Sequence, residues 1–227
     1  MILQIEDLFP AGHLAHLRQR LDGANWQDGR LTAGAQAATV KSNLQLAQDD
    51  PLAIELGNQI IATLAQHPLF VSAALPLRFF PPMFNRYENG GQYGLHVDNA
   101  IRYPLGSRDT VRSDLSCTLF LRDPDDYDGG ELEIEDRYGC QQVKLPAGHL
   151  VLYPSTSLHR VTPVTRGSRV CAFFWIQSLV RSNSQREMLF DLDQSIQSLT
   201  AQHGHQDADV TRLTGIYHNL LRQWAET

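Results

Sequence analysis

The chain has 227 residues and a formal charge of −6, with 19 basic residues set against 25 acidic ones. Hydrophobic residues make up 42% and charged residues 19%, a balance that suits one substantial buried core with a small appendage. The basic residues are scattered rather than gathered into an arm or stripe, which argues against nucleic acid as a partner. The N-terminal MILQIEDLFPAG lacks the basic start and apolar run of a secretory signal, and the apolar runs elsewhere are too short to cross a bilayer. Cys117, Cys140 and Cys171 have neither metal-finger spacing nor a paired pattern, so the expectation is a cytoplasmic location with reduced thiols and no membrane contact.

Residues 11–21 read as a helix, with Leu14, Leu17 and Leu21 at helical spacing and Pro10 at its start. Trp26 and the Asp-Gly after it suggest a turn packed on that helix. The Ala-rich stretch 31–40 carries no chemical signature and reads as loop. A second helix is predicted over 51–66, with Leu52, Leu56, Ile60 and Leu64 on one face and Asp50 as its cap. Either stripe can cover a sheet, and a homodimer interface is the alternative use. Arginines far outnumber the two lysines, Lys41 and Lys144, which identifies no ligand.

From residue 77 the pattern changes to short β-like segments: 77–80, 83–87, 115–121, 132–134, 141–145, 150–153, 158–164 and 169–176. Asp128–Gly130, Tyr138–Gly139 and Arg166–Ser168 supply turns. No P-loop or dinucleotide fingerprint competes. The expected fold is mainly β with flanking helices: a double-stranded β-helix, or jelly-roll/cupin-like barrel. The predicted division is 1–77 as helical scaffold, 78–178 as core and 179–227 as a helical appendage. The interval 100–114 is long for a hairpin connection and reads either as an inert excursion or as a substrate-facing lid. Arg102, Arg108 and Arg112 within it are candidates to receive an acidic substrate, or are simply solvated.

The chemistry centres on YENGGQYGLHVDN. In an extended strand end His96 and Asp98 project to the same side while Val97 points away, so both can grip one ion. His159, on a separate β-like segment, can complete a face of two histidines and one carboxylate, which suits Fe(II) and leaves positions open. Zinc, manganese and a metal-free polar core remain alternatives at this point. Arg169, ten positions beyond His159, favours iron because its guanidinium fork can bind a carboxylate through two parallel hydrogen bonds. Arg166 is its rival, in a turn that favours exposure. If Arg169 faces inward, then Cys171, Phe173 and Trp175 do too, and Val170, Ala172, Phe174 and Ile176 face helices on the other side. The other seven histidines form no comparable constellation.

In RYENGGQYGLHVDN, DYDGGEL, PAGHLVLYPSTSLHRVTPVTRGSR and the long C-terminal tail, the sequence resembles the bacterial PKHD-type hydroxylases, prolyl-hydroxylase-like Fe(II)/2-oxoglutarate dioxygenases. The resemblance implies that His96, Asp98 and His159 ligate Fe(II), and that Arg169 binds the distal carboxylate of 2-oxoglutarate. Tyr87 or Tyr93 would assist that co-substrate. Related animal enzymes carry a tyrosine near the position of Phe120, and this chain has no hydroxyl there. The implied reaction is hydroxylation of a prolyl-containing protein or peptide, or of an iron-uptake-related metabolite. It consumes oxygen and converts 2-oxoglutarate to succinate and carbon dioxide, with L-ascorbate as reductant. The alternatives are a cupin-like isomerase or hydrolase using another divalent metal, and a noncatalytic jelly-roll binding protein.

In the tail, Ser184 to Glu187 reads as a capping box, followed by a helix with Met188, Leu192, Ile196 and Leu199 on one face. Asp209 is expected to cap a last helix bearing Val210, Leu213, Tyr217, Leu220 and Trp224. These stripes suit packing on the core or a dimer contact.

Overall fold

The chain reverses direction at almost every turn, and every strand pair in the computed structural model is antiparallel among the described residues, 1–32, 40–136 and 139–226. The strands are β1 (Leu3–Ile5), β2 (Gln27–Asp28), β3 (Lys41–Ser42), β4 (Leu44–Gln45), β5 (Pro76–Phe79), β6 (Met83–Glu88), β7 (Gln92–His96) and β8 (Ile101–Arg102). They continue with β9 (Val111–Arg112), β10 (Leu115–Phe120), β11 (Tyr127–Gly129), β12 (Leu132–Asp136), β13 (Gly139–Val143), β14 (Leu150–Pro154), β15 (His159–Val161) and β16 (Val164–Ser178). The larger sheet runs β1-β14-β10-β16-β6-β4-β2, with β5 and β11 also on β16. The smaller sheet runs β13-β12-β15-β7-β3.

The long strand β16 shows why two faces are needed. Val170, Ala172, Phe174 and Ile176 join a core with Leu17 and Leu21 of α1 (Ala11–Asp22), Leu56, Ile60 and Leu64 of α2 (Pro51–Leu64), and Phe70 of α3 (Pro68–Ala74). The alternate residue Cys171 joins a second core, whose members come from both sheets: Phe120, Val151 and Tyr153 from one, Leu132, Ile134, Val143 and Val161 from the other. Helices, larger sheet and smaller sheet are therefore stacked layers. Leu56, Ile60 and Leu64 are each 0% exposed, and burying such a side chain contributes about 1.5–3 kcal/mol.

The helix over 51–66 ends two residues early, at Leu64, because Pro68 opens α3 and His67 caps it through Phe70 N at 3.4 Å. A residue before proline disfavours helical backbone. Asp50 caps α2 as expected, accepting from Leu52 N at 2.8 Å. The strands β1 to β4 were not expected in the N-terminal region, and they extend both sheets. The loop reading of 31–40 falls largely on residues outside the described ones, as does Tyr138. Residues 100–114 hold a hairpin, with Ile101 opposite Arg112 and Arg102 opposite Val111.

In the tail, α4 (Asn183–His203) is capped by Ser182, not Ser184: the Ser182 hydroxyl accepts from Gln185 N. Leu192, Ile196 and Leu199 are partly buried as expected, but Met188 is exposed and Leu189 is buried in its place. Asp207, not Asp209, caps α5 (Ala208–Trp224), accepting from the backbone N–H groups of Asp209 and Val210. A capping side chain must precede the first turn, and both readings placed it two residues late. Leu189 packs with Leu75 and Val180 against Tyr217, Leu220, Leu221 and Trp224. Among the described residues no helix is long and apolar enough to cross a membrane.

Candidate metal centre

Strands β7 and β15 are neighbours in the smaller sheet, and their register sets His96 directly opposite His159. Cross-strand partners project to the same face, and the two imidazoles meet with centroids 4.2 Å apart. Asp98 lies two residues beyond His96, past the strand end, and returns to that face. One ligand atom from each of the three lies within 4.8 Å of the others. The turn that feeds β7 is tight, with Asn89 and Gly90 both at positive φ.

The ring orientations are fixed from behind. The His96 Nδ1 sits 2.8 Å from Gly94 O, and the His159 Nδ1 sits 3.1 Å from Ser157 O. A carbonyl only accepts, so each Nδ1 carries a proton and each Nε2 is left to face the shared space. Tyr93 stacks on His96 at 3.7 Å, and Tyr153 meets His159 edge-on at 5.3 Å. Burial, and then the nearby His159, pull the His96 imidazole down to about 4, so that ring is neutral at physiological pH.

Burial opposes ionisation of Asp98, but His159 and Arg102, with smaller help from Ser116, outweigh it and hold the carboxyl below its ordinary range. Ser116 Oγ donates to Asp98 Oδ2 at 2.7 Å and is itself 2.7 Å from Ser155 Oγ. Arg102 Nη2 donates to Oδ1 at 3.1 Å while its guanidinium lies over the Trp175 ring. His159 Nε2 stands 3.8 Å from Oδ2, which marks Oδ2 as the oxygen on the shared side. Two imidazoles and an ionised carboxylate on one side of a cavity fit a divalent first-row metal with open positions.

That cavity also takes in Arg169. Arg169 is 1% exposed, with its guanidinium between the rings of Tyr87 at 5.4 Å and Phe120 at 5.2 Å. After burial itself, the groups acting most on its charge are the Cys171 thiol and the hydroxyls of Tyr127, Tyr87 and Tyr153. The Arg169 Nε is buried without a hydrogen-bond partner among the described residues, and the buried Tyr127 hydroxyl lies against the same guanidinium. A buried guanidinium among neutral groups is costly unless an anion joins it. The Gly-Gly turn makes room: a Cβ on Gly130 would lie 2.9 Å from Arg169 Cδ and 3.0 Å from Tyr127 Cε2.

The sequence reading placed Tyr87 and Tyr93 together as co-substrate candidates, and the structure separates them. Tyr87 stands opposite Arg169 in the β6–β16 register, while Tyr93 belongs to the His96 side. Arg166 pairs with Asp128 at 2.7 Å at the surface. Arg112 is committed to Asp114 and to Glu226, at 2.7 Å each, and Arg108 is exposed. The sequence offers no sign of Lys41, Ser116 or Tyr127, and Arg102, read as receiving an acidic substrate or as solvated, instead bonds Asp98. Only the glycine pair after Tyr127 signalled a crowded neighbour.

A layered antiparallel double sheet with this donor set and a buried arginine in the same cavity defines the Fe(II)/2-oxoglutarate-dependent oxygenases. The model of the 2OG-Fe(II) oxygenase superfamily matches residues 82–177, and that of the PKHD-type hydroxylase C-terminal domain matches residues 183–226. The chain is 58% identical to the PKHD-type hydroxylase PiuC of Pseudomonas aeruginosa and 55% identical to a PKHD-type hydroxylase of Methylobacillus flagellatus, with 100% of each chain covered in both comparisons. It therefore belongs to the PKHD-type hydroxylases and is an Fe(II)/2-oxoglutarate-dependent dioxygenase. Among solved structures it resembles a Pseudomonas putida prolyl-4-hydroxylase, with TM-score 0.51, 22% identity, and 78% of this chain and 92% of that one covered. A Trichoplax adhaerens prolyl hydroxylase gives TM-score 0.55 at 14% identity, covering 83% and 86%. These two show the fold.

Proposed function

We propose that His96, Asp98 and His159 hold the ferrous ion and that Arg169 anchors the distal carboxylate of 2-oxoglutarate. The observation that carries this is the convergence of three donors on one side of the cavity that Arg169 enters from another strand. When bound, the iron supplies the oxidising chemistry that couples decarboxylation of 2-oxoglutarate to hydroxylation of a second substrate. Asp98 would offset one of the two charges of a bound ferrous ion. Gly94 and Ser157 carbonyls keep the imidazoles in the ligating tautomer, and Ser116 and Arg102 hold the carboxylate in place. The aromatic walls of Tyr93, Tyr153 and Trp175 exclude water from this side.

Tyr127 takes the part of the hydroxyl missing at Phe120, donating to the same carboxylate as Arg169. Its buried hydroxyl, set against the Arg169 guanidinium, supports this. Tyr127→Phe is expected to weaken 2-oxoglutarate about tenfold or more and to leave 2-oxopentanoate, which lacks the distal carboxylate, unaffected. Calorimetric titration of the ferrous protein under nitrogen measures both affinities. Tyr87 shapes the same end of the pocket.

The two sheets close as the double-stranded β-helix of the family, with 1–77 as packed scaffold, 78–178 as oxygenase core and 179–227 as appendage. L-Ascorbate serves as reductant, and the substrate is a prolyl-containing protein or peptide or an iron-uptake-related metabolite. An aerobic screen with Fe(II), 2-oxoglutarate, ascorbate and candidates of both kinds tests this. Substrate-dependent succinate with a matching gain of one oxygen atom supports the reading, whereas no succinate under any condition contradicts it.

A further inference from the structure

The charged groups lining the cavity among the described residues are Lys41, Arg102, Arg169 and one carboxylate, Asp98. A chain with formal charge −6 thus gathers positive charge where its chemistry occurs. Loading the site does not remove the excess. Ferrous iron adds two positive charges and 2-oxoglutarate two negative ones, so the loaded cavity keeps a surplus of two.

The surplus has a place. Arg169, Cys171, Phe173 and Trp175 share one face of β16, with Arg169 toward one end. The Lys41 ammonium lies over Phe173, 6.0 Å from the ring centroid, and Arg102 over Trp175. Phe173 is four residues from Arg169, roughly 13 Å along an extended strand. A co-substrate with one end at Arg169 and the other on the metal is too short to reach that far. Lys41 is also the cross-strand partner of Tyr93, whose ring stacks on His96, and its ammonium is 5.5 Å from the Tyr93 centroid. Lys41 therefore stands one aromatic ring from a candidate iron ligand.

Lys41 is held, not loose. It is 6% exposed and donates to Gln45 Oε1 at 2.9 Å. Asp28 acts on it electrostatically but forms its own salt bridge with Arg30. Burial, then Arg102, bring its ammonium down to about 8, which leaves it charged at neutral pH. A lysine buried in the wall of a cavity has a strong field for an anion.

We propose that the second substrate carries a carboxylate or similar oxyanion and that Lys41 receives it, toward the Phe173 end of the cavity and away from Arg169. This rests on the assignment of Arg169 to 2-oxoglutarate. Lys41 is accordingly a specificity determinant: it orders the substrate by its charged group and leaves the carbon to be hydroxylated facing the three-donor side.

The test is calorimetric titration, under nitrogen, of the protein loaded with Fe(II) and saturated with 2-oxoglutarate, so that Arg169 is occupied. The probes are matched acid and amide pairs: N-acetyl-L-proline and its amide, benzoate and benzamide, hexanoate and hexanamide. At least one acid is expected to bind saturably, roughly tenfold or more tighter than its amide. Lys41→Met removes that preference and Lys41→Arg retains it, with Lys41→Gln as a polar replacement should methionine impair folding. The proposal is overturned if acids bind no better than amides in every pair, if the preference survives Lys41→Met and Lys41→Gln, or if these variants lose 2-oxoglutarate instead. Failure of the underlying assignment looks different: the ferrous protein then takes up no 2-oxoglutarate at the first step.

Discussion

Replacing His159 with alanine is expected to abolish stable ferrous-iron binding, and turnover with it. The proposed centre has three protein donors and no spare: among the described residues, His96, Asp98 and His159 form the one group of three or more His, Cys, Asp or Glu side chains placed to hold a metal ion. Losing one leaves a histidine and a carboxylate, too few for the facial geometry this metal uses. The fold should survive. His159 donates only to Ser157 O at the end of a short strand, while the inter-sheet core is carried by its neighbours such as Ile134 and Val161. Iron content after desalting, read beside the thermal unfolding midpoint, separates the two effects. A variant that keeps stoichiometric iron would remove His159 from the centre.

Arg169→Ala should do the converse, retaining iron while losing 2-oxoglutarate. Removing one partner of a buried, hydrogen-bonded charge pair costs about 2–5 kcal/mol, which corresponds to roughly thirty- to several-thousand-fold in affinity. The guanidinium is fully enclosed between Tyr87 and Phe120, so water screens the interaction little. Arg169→Lys keeps a charge but not the fork, and should recover only part of the loss. Equal affinity in all three proteins would show that the carboxylate is held elsewhere.

Much of this arrangement follows from a period of two. His96 and Asp98 share a side because they are separated by one residue in extended backbone, and Arg169 shares its face with Cys171, Phe173 and Trp175 for the same reason. The opposite face of β16 meets the helices as that alternation requires. What periodicity cannot supply is register. Nothing in the local pattern around His159 says that it pairs with His96 across two strands 63 positions apart, and the resemblance of the motifs to a known family filled that gap.

The residues that were missed, and the bond of Arg102 to Asp98, escape the sequence for separate reasons. Lys41 and Arg102 lie on two-residue strands, too short to show any alternation. Ser116 reads as one more residue of an apolar strand until Asp98 is brought to it. Tyr127 reads as part of a turn, although Gly130 is glycine because Arg169 and the Tyr127 ring occupy the space of its side chain. The tail caps were placed two residues late because several residues able to cap stand close together at each helix start, at Ser182 and Ser184 and at Asp207 and Asp209. Only the backbone decides which of them precedes the first turn.

In the proposed centre one cavity binds ferrous iron and a keto acid together, each by its own set of side chains. Adding Fe(II) and then 2-oxoglutarate to the protein under nitrogen and recording the visible spectrum tests this most directly. A metal-to-ligand charge-transfer band should appear only when both are present, persist in Tyr127→Phe at higher 2-oxoglutarate, and vanish in His159→Ala. A folded, iron-loaded protein that develops no such band at saturating 2-oxoglutarate would contradict it.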